Sequence, residues 1–97
     1  MKMLYLFSLL LVNLFTGHRA QTIEGVIVGK DNRPVSKVYV FVVKGEEETI
    51  TGSNGRFAVT TWQNFPVSLT VEHPGYKKLK LVIKEPGTKQ LIRLEEK

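Results

Sequence analysis

The sequence predicts an all-β domain, a seven-stranded Greek-key β-sandwich, behind an apolar and helical N-terminal leader. Three observations predict it. From Thr22 onward, apolar and polar residues alternate with the period of two that a half-buried strand requires. The alternating runs are short and divided by Gly, Pro or Asn, the punctuation of a sandwich or barrel. Behind the leader, no stretch carries the longer period of an amphipathic helix.

The leader comes first in the chain. Met1 and Lys2 give a short positive start, and Met3 to Phe15 is apolar apart from Ser8 and Asn13. At about 13 residues, this run falls short of the roughly 20 that span a bilayer as a helix. Its length and single lysine match a signal peptide. We expect cleavage after Ala20, giving a leader of residues 1–20 and a domain of residues 21–97 with no transmembrane span. His18 is bulky for its place before that site, so cleavage after Gly17 and an uncleaved anchor stand as alternatives.

The strands follow in order. Thr22 to Lys30 is a β-rich run closed by the turn cluster Lys30-Asp31-Asn32-Arg33-Pro34. Lys37 to Lys44 is the strongest strand, with Val38, Val40 and Val42 on one face and Tyr39, Phe41 and Val43 on the other. A short strand, Glu48 to Thr51, follows the turn Gly45-Glu46-Glu47. Gly52-Ser53-Asn54-Gly55 contains Asn-Gly, the strongest short hairpin signal. Arg56 to Trp62 then directs Phe57, Val59 and Thr61 inward, and Val67 to His73 does the same with Val67, Leu69 and Val71. After Pro74-Gly75, Tyr76 to Lys84 alternates Leu79, Leu81 and Ile83 with lysines. After Pro86-Gly87, Lys89 to Glu95 closes with Ile92 and Leu94 inward. This count and spacing suit an immunoglobulin-like or transthyretin-like Greek key.

Size and composition bound the rest. The chain has 97 residues and no cysteine, so it has no disulfide, no thiolate zinc site and no cysteine to carry a lipid anchor. Without the leader, about 77 residues remain, near the lower limit for a domain that folds alone. Lys2 and Arg19 both lie in the expected leader, so the domain carries about +3 of the chain's net charge of +5.

Several short motifs occur in a telling order. Ile23-x-Gly25-x-Ile27 opens the domain, followed by Asn32-Arg33-Pro34-Val35, Val38-x-Val40, Thr51-x-x-Asn54-Gly55-x-Phe57 and His73-Pro74-Gly75-Tyr76. In order and spacing, this set resembles the carboxypeptidase regulatory-like domain, a transthyretin-like sandwich, over nearly the whole expected domain. The resemblance implies an accessory module without catalytic residues. Such modules sit beside metallocarboxypeptidase domains, extend the N-termini of outer-membrane receptors, or occur as small exported proteins. One position departs from the pattern: Gly52 stands where the family commonly has Asp, which removes a carboxylate from the turn.

The motif residues have structural readings. Gly55 permits the positive φ of a tight turn, with Asn54 before it. Phe57 plugs the core, Pro34 presets a turn and Gly25 belongs to the opening strand. Gly75 lets the chain reverse, and Tyr76 buries its ring while its hydroxyl reaches a backbone partner.

Catalytic equipment is not in view. Past the leader there is one histidine, His73, and it precedes Pro74 at a strand end; Glu72 beside it faces the other way. No serine lies in a nucleophile elbow, and no glycine loop for phosphate is present. Glu46-Glu47-Glu48 reads as a solvated turn, with weak attraction for a divalent cation as the minor option. We expect no catalytic residue, no metal ligand set and no cofactor. The transthyretin-like fold also hosts an enzyme, hydroxyisourate hydrolase, with a chain ending in Tyr-Arg-Gly-Ser and conserved histidines; the ending Ile92-Arg93-Leu94-Glu95-Glu96-Lys97 and the one histidine past the leader do not resemble it.

Two surfaces remain. Lys78, Lys80 and Lys84, with Lys77 nearby, form a basic stripe. Without aromatics for base stacking it reads as a solubilising face rather than a nucleic-acid site. Tyr39, Phe41 and Val43 cannot enter the core that takes Val38, Val40 and Val42, and Trp62 and Phe65 add two large apolar residues at a strand end. Either the leader, loops or chain ends cover these five residues or they dock a partner. The expected partner is a protein of the cell envelope, with a carbohydrate stacked on the aromatics as the alternative. The expected location is exported: periplasmic, outer-membrane-associated or extracellular.

Overall fold

The structure, a computed structural model, describes residues 19–97. The expected leader therefore lies outside the described residues, apart from Arg19 and Ala20. Seven strands follow: β1 (Gln21–Val28), β2 (Tyr39–Val43), β3 (Glu47–Ile50), β4 (Arg56–Thr61), β5 (Val67–His73), β6 (Tyr76–Ile83) and β7 (Gln90–Arg93). Each lies within one or two residues of its expected place, because the apolar alternation stops at the same Gly, Pro and Asn positions.

The strands form two sheets, one of three in the order β4-β1-β7 and one of four in the order β3-β2-β5-β6. Only β2–β3 and β5–β6 are hairpins within a sheet. The other four connections cross between sheets, which is the Greek-key arrangement. β1 and β7 pair in parallel, with Gly25 opposite Gln90, while all other strand pairs are antiparallel.

The core lies between the sheets. Ile23, Ile27, Phe57, Val59 and Ile92 come from the three-stranded sheet, and Val40, Val67, Leu69, Val71 and Ile83 from the four-stranded one. Val38, just before β2, is fully buried with them, and Val42, Leu79 and Leu81 pack against this cluster from partly open positions. The expected inward set is the observed one, since a register error of one residue would turn every side chain outward.

Two glycines of the motif set are required by their surroundings. A Cβ on Gly25 would lie 2.5 Å from the Gln90 carbonyl oxygen and 2.7 Å from the Phe57 ring, so Phe57 fills space that Gly25 leaves empty. Gly55 has φ +75°, and a Cβ there would lie 2.5 Å from the Ile27 carbonyl oxygen and 3.0 Å from Pro34. The Gly55 carbonyl accepts the Ile27 N–H at 2.8 Å, so three motif elements meet at one point.

Three expectations are corrected. Gly75 sits in the reversal between β5 and β6 but does not have positive φ, so the turn does not depend on glycine there. The Tyr76 ring packs on the core as expected, but its hydroxyl lies against Gly29 and makes no hydrogen bond to a described residue. The Glu46-Glu47-Glu48 run is not simply a solvated turn. β3 begins at Glu47, whose carboxylate accepts the Thr61 hydroxyl at 2.7 Å and the Trp62 N–H at 2.6 Å.

Candidate partner-binding surface

Because Val38 and Val40 are fully buried between the sheets, strand alternation turns Tyr39 and Phe41 to the outer face of the four-stranded sheet; a register shift between Phe41 and Val43 sets Val43 opposite Glu47 and ends that alternation, so Val43 does not follow them as expected. Register then sets their neighbours. Tyr39 stands between Ile50 of β3 and Glu72 of β5, and Phe41 between Glu48 and Thr70. Lys80 follows Thr70 on β6, and Val82 follows Ser68.

This face is partly closed by its own side chains. The Tyr39 and Phe41 rings lie 4.9 Å apart at 39°, and the Lys44 ammonium sits 6.0 Å from the Phe41 ring centre. Phe41 is only 9% exposed, so the open ring expected there is covered. Tyr39 and Val43 are half-buried. The Tyr39 hydroxyl donates to the Glu48 carboxylate, which also accepts the Gly45 N–H at 2.9 Å. The hydrogen bond to Glu48 is the main cause that raises the Tyr39 phenol above its ordinary value of 10.0. What stays open lies toward the margins, at Ile50 (64% exposed) and Val82 (67%).

The other two candidates do not join this face. Trp62 is 65% exposed, just past the end of β4, while Phe65 is half-buried and packs against the core. The five expected residues are therefore Tyr39 and Phe41 on one face, Val43 past the register shift, one exposed ring at the end of β4 and one residue packed against the core. Leu91, on β7 of the opposite sheet, is also open.

The remaining polar residues mostly hold the scaffold. His73 accepts the Gly75 N–H through Nδ1 at 3.0 Å and meets the Tyr76 ring edge-on at 5.2 Å. Among the described residues, no group of three or more His, Cys, Asp or Glu could hold a metal ion. Thr51 is buried; its hydroxyl donates to the Val35 carbonyl at 2.8 Å and accepts the Val38 N–H at 3.0 Å. Sequence reasoning missed the structural work of Thr51 and Glu47. Thr51 heads a motif in which only the turn glycine and Phe57 had an evident physical role. Asn54 Oδ1 accepts the Arg56 N–H at 3.0 Å, ordering the turn in which Gly52 offers no carboxylate.

With the motif residues placed, comparison with known families is decisive. The family model described as "Carboxypeptidase regulatory-like domain" matches residues 22–94. The chain belongs to the carboxypeptidase regulatory-like domain family. A search of curated proteins finds no match. The domains of this family are non-catalytic β-sandwich modules; in this chain Gly25 and Gly55 leave room for close approaches, Phe57 fills the core, and Thr51 and Asn54 bond the backbone around them. Among the described residues of this regulatory-like domain, no helix is long and apolar enough to cross a membrane.

Proposed function

We propose that this regulatory-like domain is a non-catalytic accessory module, exported into the cell envelope, that docks to a protein partner through the outer face of its four-stranded sheet. The observation that carries the reading is the make-up of that face. A packed aromatic pair, Tyr39 and Phe41, lies between open apolar residues Ile50 and Val82, with Glu48, Glu72, Lys78 and Lys80 around them. An apolar centre with a charged rim is the anatomy of a protein interface. A sugar platform would need several open, coplanar rings. The tilt of Tyr39 against Phe41 and the inward turn of Phe65 leave Trp62 alone, which favours the protein partner over a carbohydrate.

Export rests on the leader. Support comes from β1, whose pairing starts with Gln21 opposite Thr61, so cleavage after Ala20 would remove no described strand residue. Photo-crosslinking side chains placed singly at positions 50, 82 and 60 in the protein in its native cells test the docking face. Discrete adducts with one envelope protein are expected from 50 and 82 and none from 60, on the outer face of the opposite sheet. Adducts only from 60, or quenching of Trp62 by oligosaccharides without adducts, would reverse the reading. N-terminal sequencing should find Gln21; an intact Met1 on cytoplasmic protein would overturn export.

A further inference from the structure

We propose that the free edge of β6, from Leu79 to Ile83, pairs with an extended segment of a protein partner in which acidic side chains alternate with apolar ones. This rests on the accessory-module reading and names the chemistry of the partner. Among the described residues, β5 is the only strand that pairs with β6, which forms the margin of the four-stranded sheet.

The first part of this edge already holds such a segment. Glu95 to Lys97 runs beside it, with Tyr76 bridged antiparallel to Glu96. The Lys77 N–H donates to the Glu95 carbonyl at 2.8 Å, and the Lys97 N–H to the Gly75 carbonyl at 3.3 Å. The Lys77 ammonium meets the Glu95 carboxylate at 3.5 Å. Leu94 turns away to bond Val28 of the other sheet, so no described residue pairs with the remainder of β6.

The ladder phase shows which groups are free. Val38 exchanges hydrogen bonds with Thr51 on the β3 side, so Val40 also faces β3, and Val71 opposite Val40 faces β6. Leu79, opposite Val71, and Leu81 therefore bond to β5, and the N–H and C=O groups of Lys80 and Val82 point out of the sheet. An incoming strand would exchange bonds with those two residues. Its side chains opposite Lys78 and Lys80 would share the outer face with two ammonium groups. The one on Lys78 already attracts Glu72 at 3.2 Å, and Lys80 has no ion pair among the described residues. Its side chains opposite Leu79 and Leu81 would extend the core over two leucines that are only half-buried. A second copy of this edge is disfavoured, because antiparallel β6 strands would bring their lysines together. The same lysines repel neutral aggregation while admitting an acidic strand.

The test uses the purified protein and two synthetic peptides of alternating sequence, one of Val and Glu and one of Val and Lys, at low ionic strength. The Val/Glu peptide should bind about tenfold more tightly, and the double variant Lys78→Glu, Lys80→Glu should reverse that preference. Amide exchange should slow at Lys80 and Val82 on binding while the β7 edge is unchanged. Val82→Pro removes an outward N–H and should abolish binding while leaving the melting transition in place. The inference is overturned by equal binding of both peptides, by protection elsewhere, by a dimer joined through β6, or by occupation of this edge by the chain's own residues 1–18. Adducts from positions 50 and 82 without peptide binding would remove this inference alone. Peptide binding without any envelope adduct would remove the proposed function and leave the edge chemistry.

Discussion

At the scale of single residues, buried hydrogen bonds matter more than the exposed charges. Thr51 ties the approach to β2 through four bonds: its hydroxyl holds Val35 and Val38, its carbonyl accepts the Lys37 N–H at 3.1 Å, and its N–H donates to the Val38 carbonyl at 3.0 Å. Lys37 is thereby held at φ +59°, a conformation that non-glycine residues seldom adopt. Thr51→Val keeps the shape and removes both hydroxyl bonds, leaving a buried N–H and a buried carbonyl unpaired. It should cost about 1–3 kcal/mol in denaturant unfolding, with Thr51→Ser close to the parent. Tyr39 gives a pH test. Its phenol is raised above 10.0 because the protonated hydroxyl donates to Glu48, so this contribution to stability is full below the unfolded value and fades as pH rises through the folded one. In a spectrophotometric titration, Glu48→Gln should bring the Tyr39 midpoint down toward 10.0.

At the scale of elements, the sequence revealed strands far better than their partners. Phe57, Val59 and Thr61 showed by alternation which face of β4 is buried, and all three are. Alternation is silent on which strands lie side by side, so the parallel pairing of β1 with β7 had no local signal. Phe41 shows a second limit. Its face was legible, but its cover was not, because Tyr39 and Lys44 close over it only once strand twist and side-chain angles are set. Gly25 and Phe57 show motif logic working across elements. Phe57→Ala should cost about 3–5 kcal/mol, because it empties a ring-sized space above a glycine and leaves nothing to collapse into it. A melting temperature that barely moved would refute that packing. Gly75→Ala should be nearly silent in the same melt, since its Cβ would meet His73 only at 3.5 Å. Glu47 links β3 to the end of β4, so Glu47→Ala should speed amide exchange at Trp62 and weaken the domain by about 1 kcal/mol. Trp62 is the sole tryptophan, so its fluorescence anisotropy reports the same loosening directly.

At the scale of the whole molecule, the question is where the folding unit starts. A small domain without cysteine has little stability to spare, so any segment that belongs to its core must be kept. Among the described residues, every core residue lies between Ile23 and Leu94, and the family match covers residues 22–94. Two independent boundaries therefore coincide with the place where the alternating pattern begins. β1 adds one residue, Gln21, paired with Thr61, which is buried and bonded to Glu47. The protein beginning at Gln21 should therefore melt within a few degrees of the full chain. In a domain this small, about 1 kcal/mol shifts the melting temperature by roughly 4–8 °C, so even a modest contribution from residues 1–20 would be visible. A drop of that size would mean that the apolar run around Leu9 to Leu11 packs on the sandwich, and the outer face at Ile50 and Val82 would be the first place to seek it. An unchanged melt would leave that face open to another protein. Loss of the next two residues, Gln21 and Thr22, should by contrast lower the transition, because it removes the pairing opposite Thr61 and Thr60.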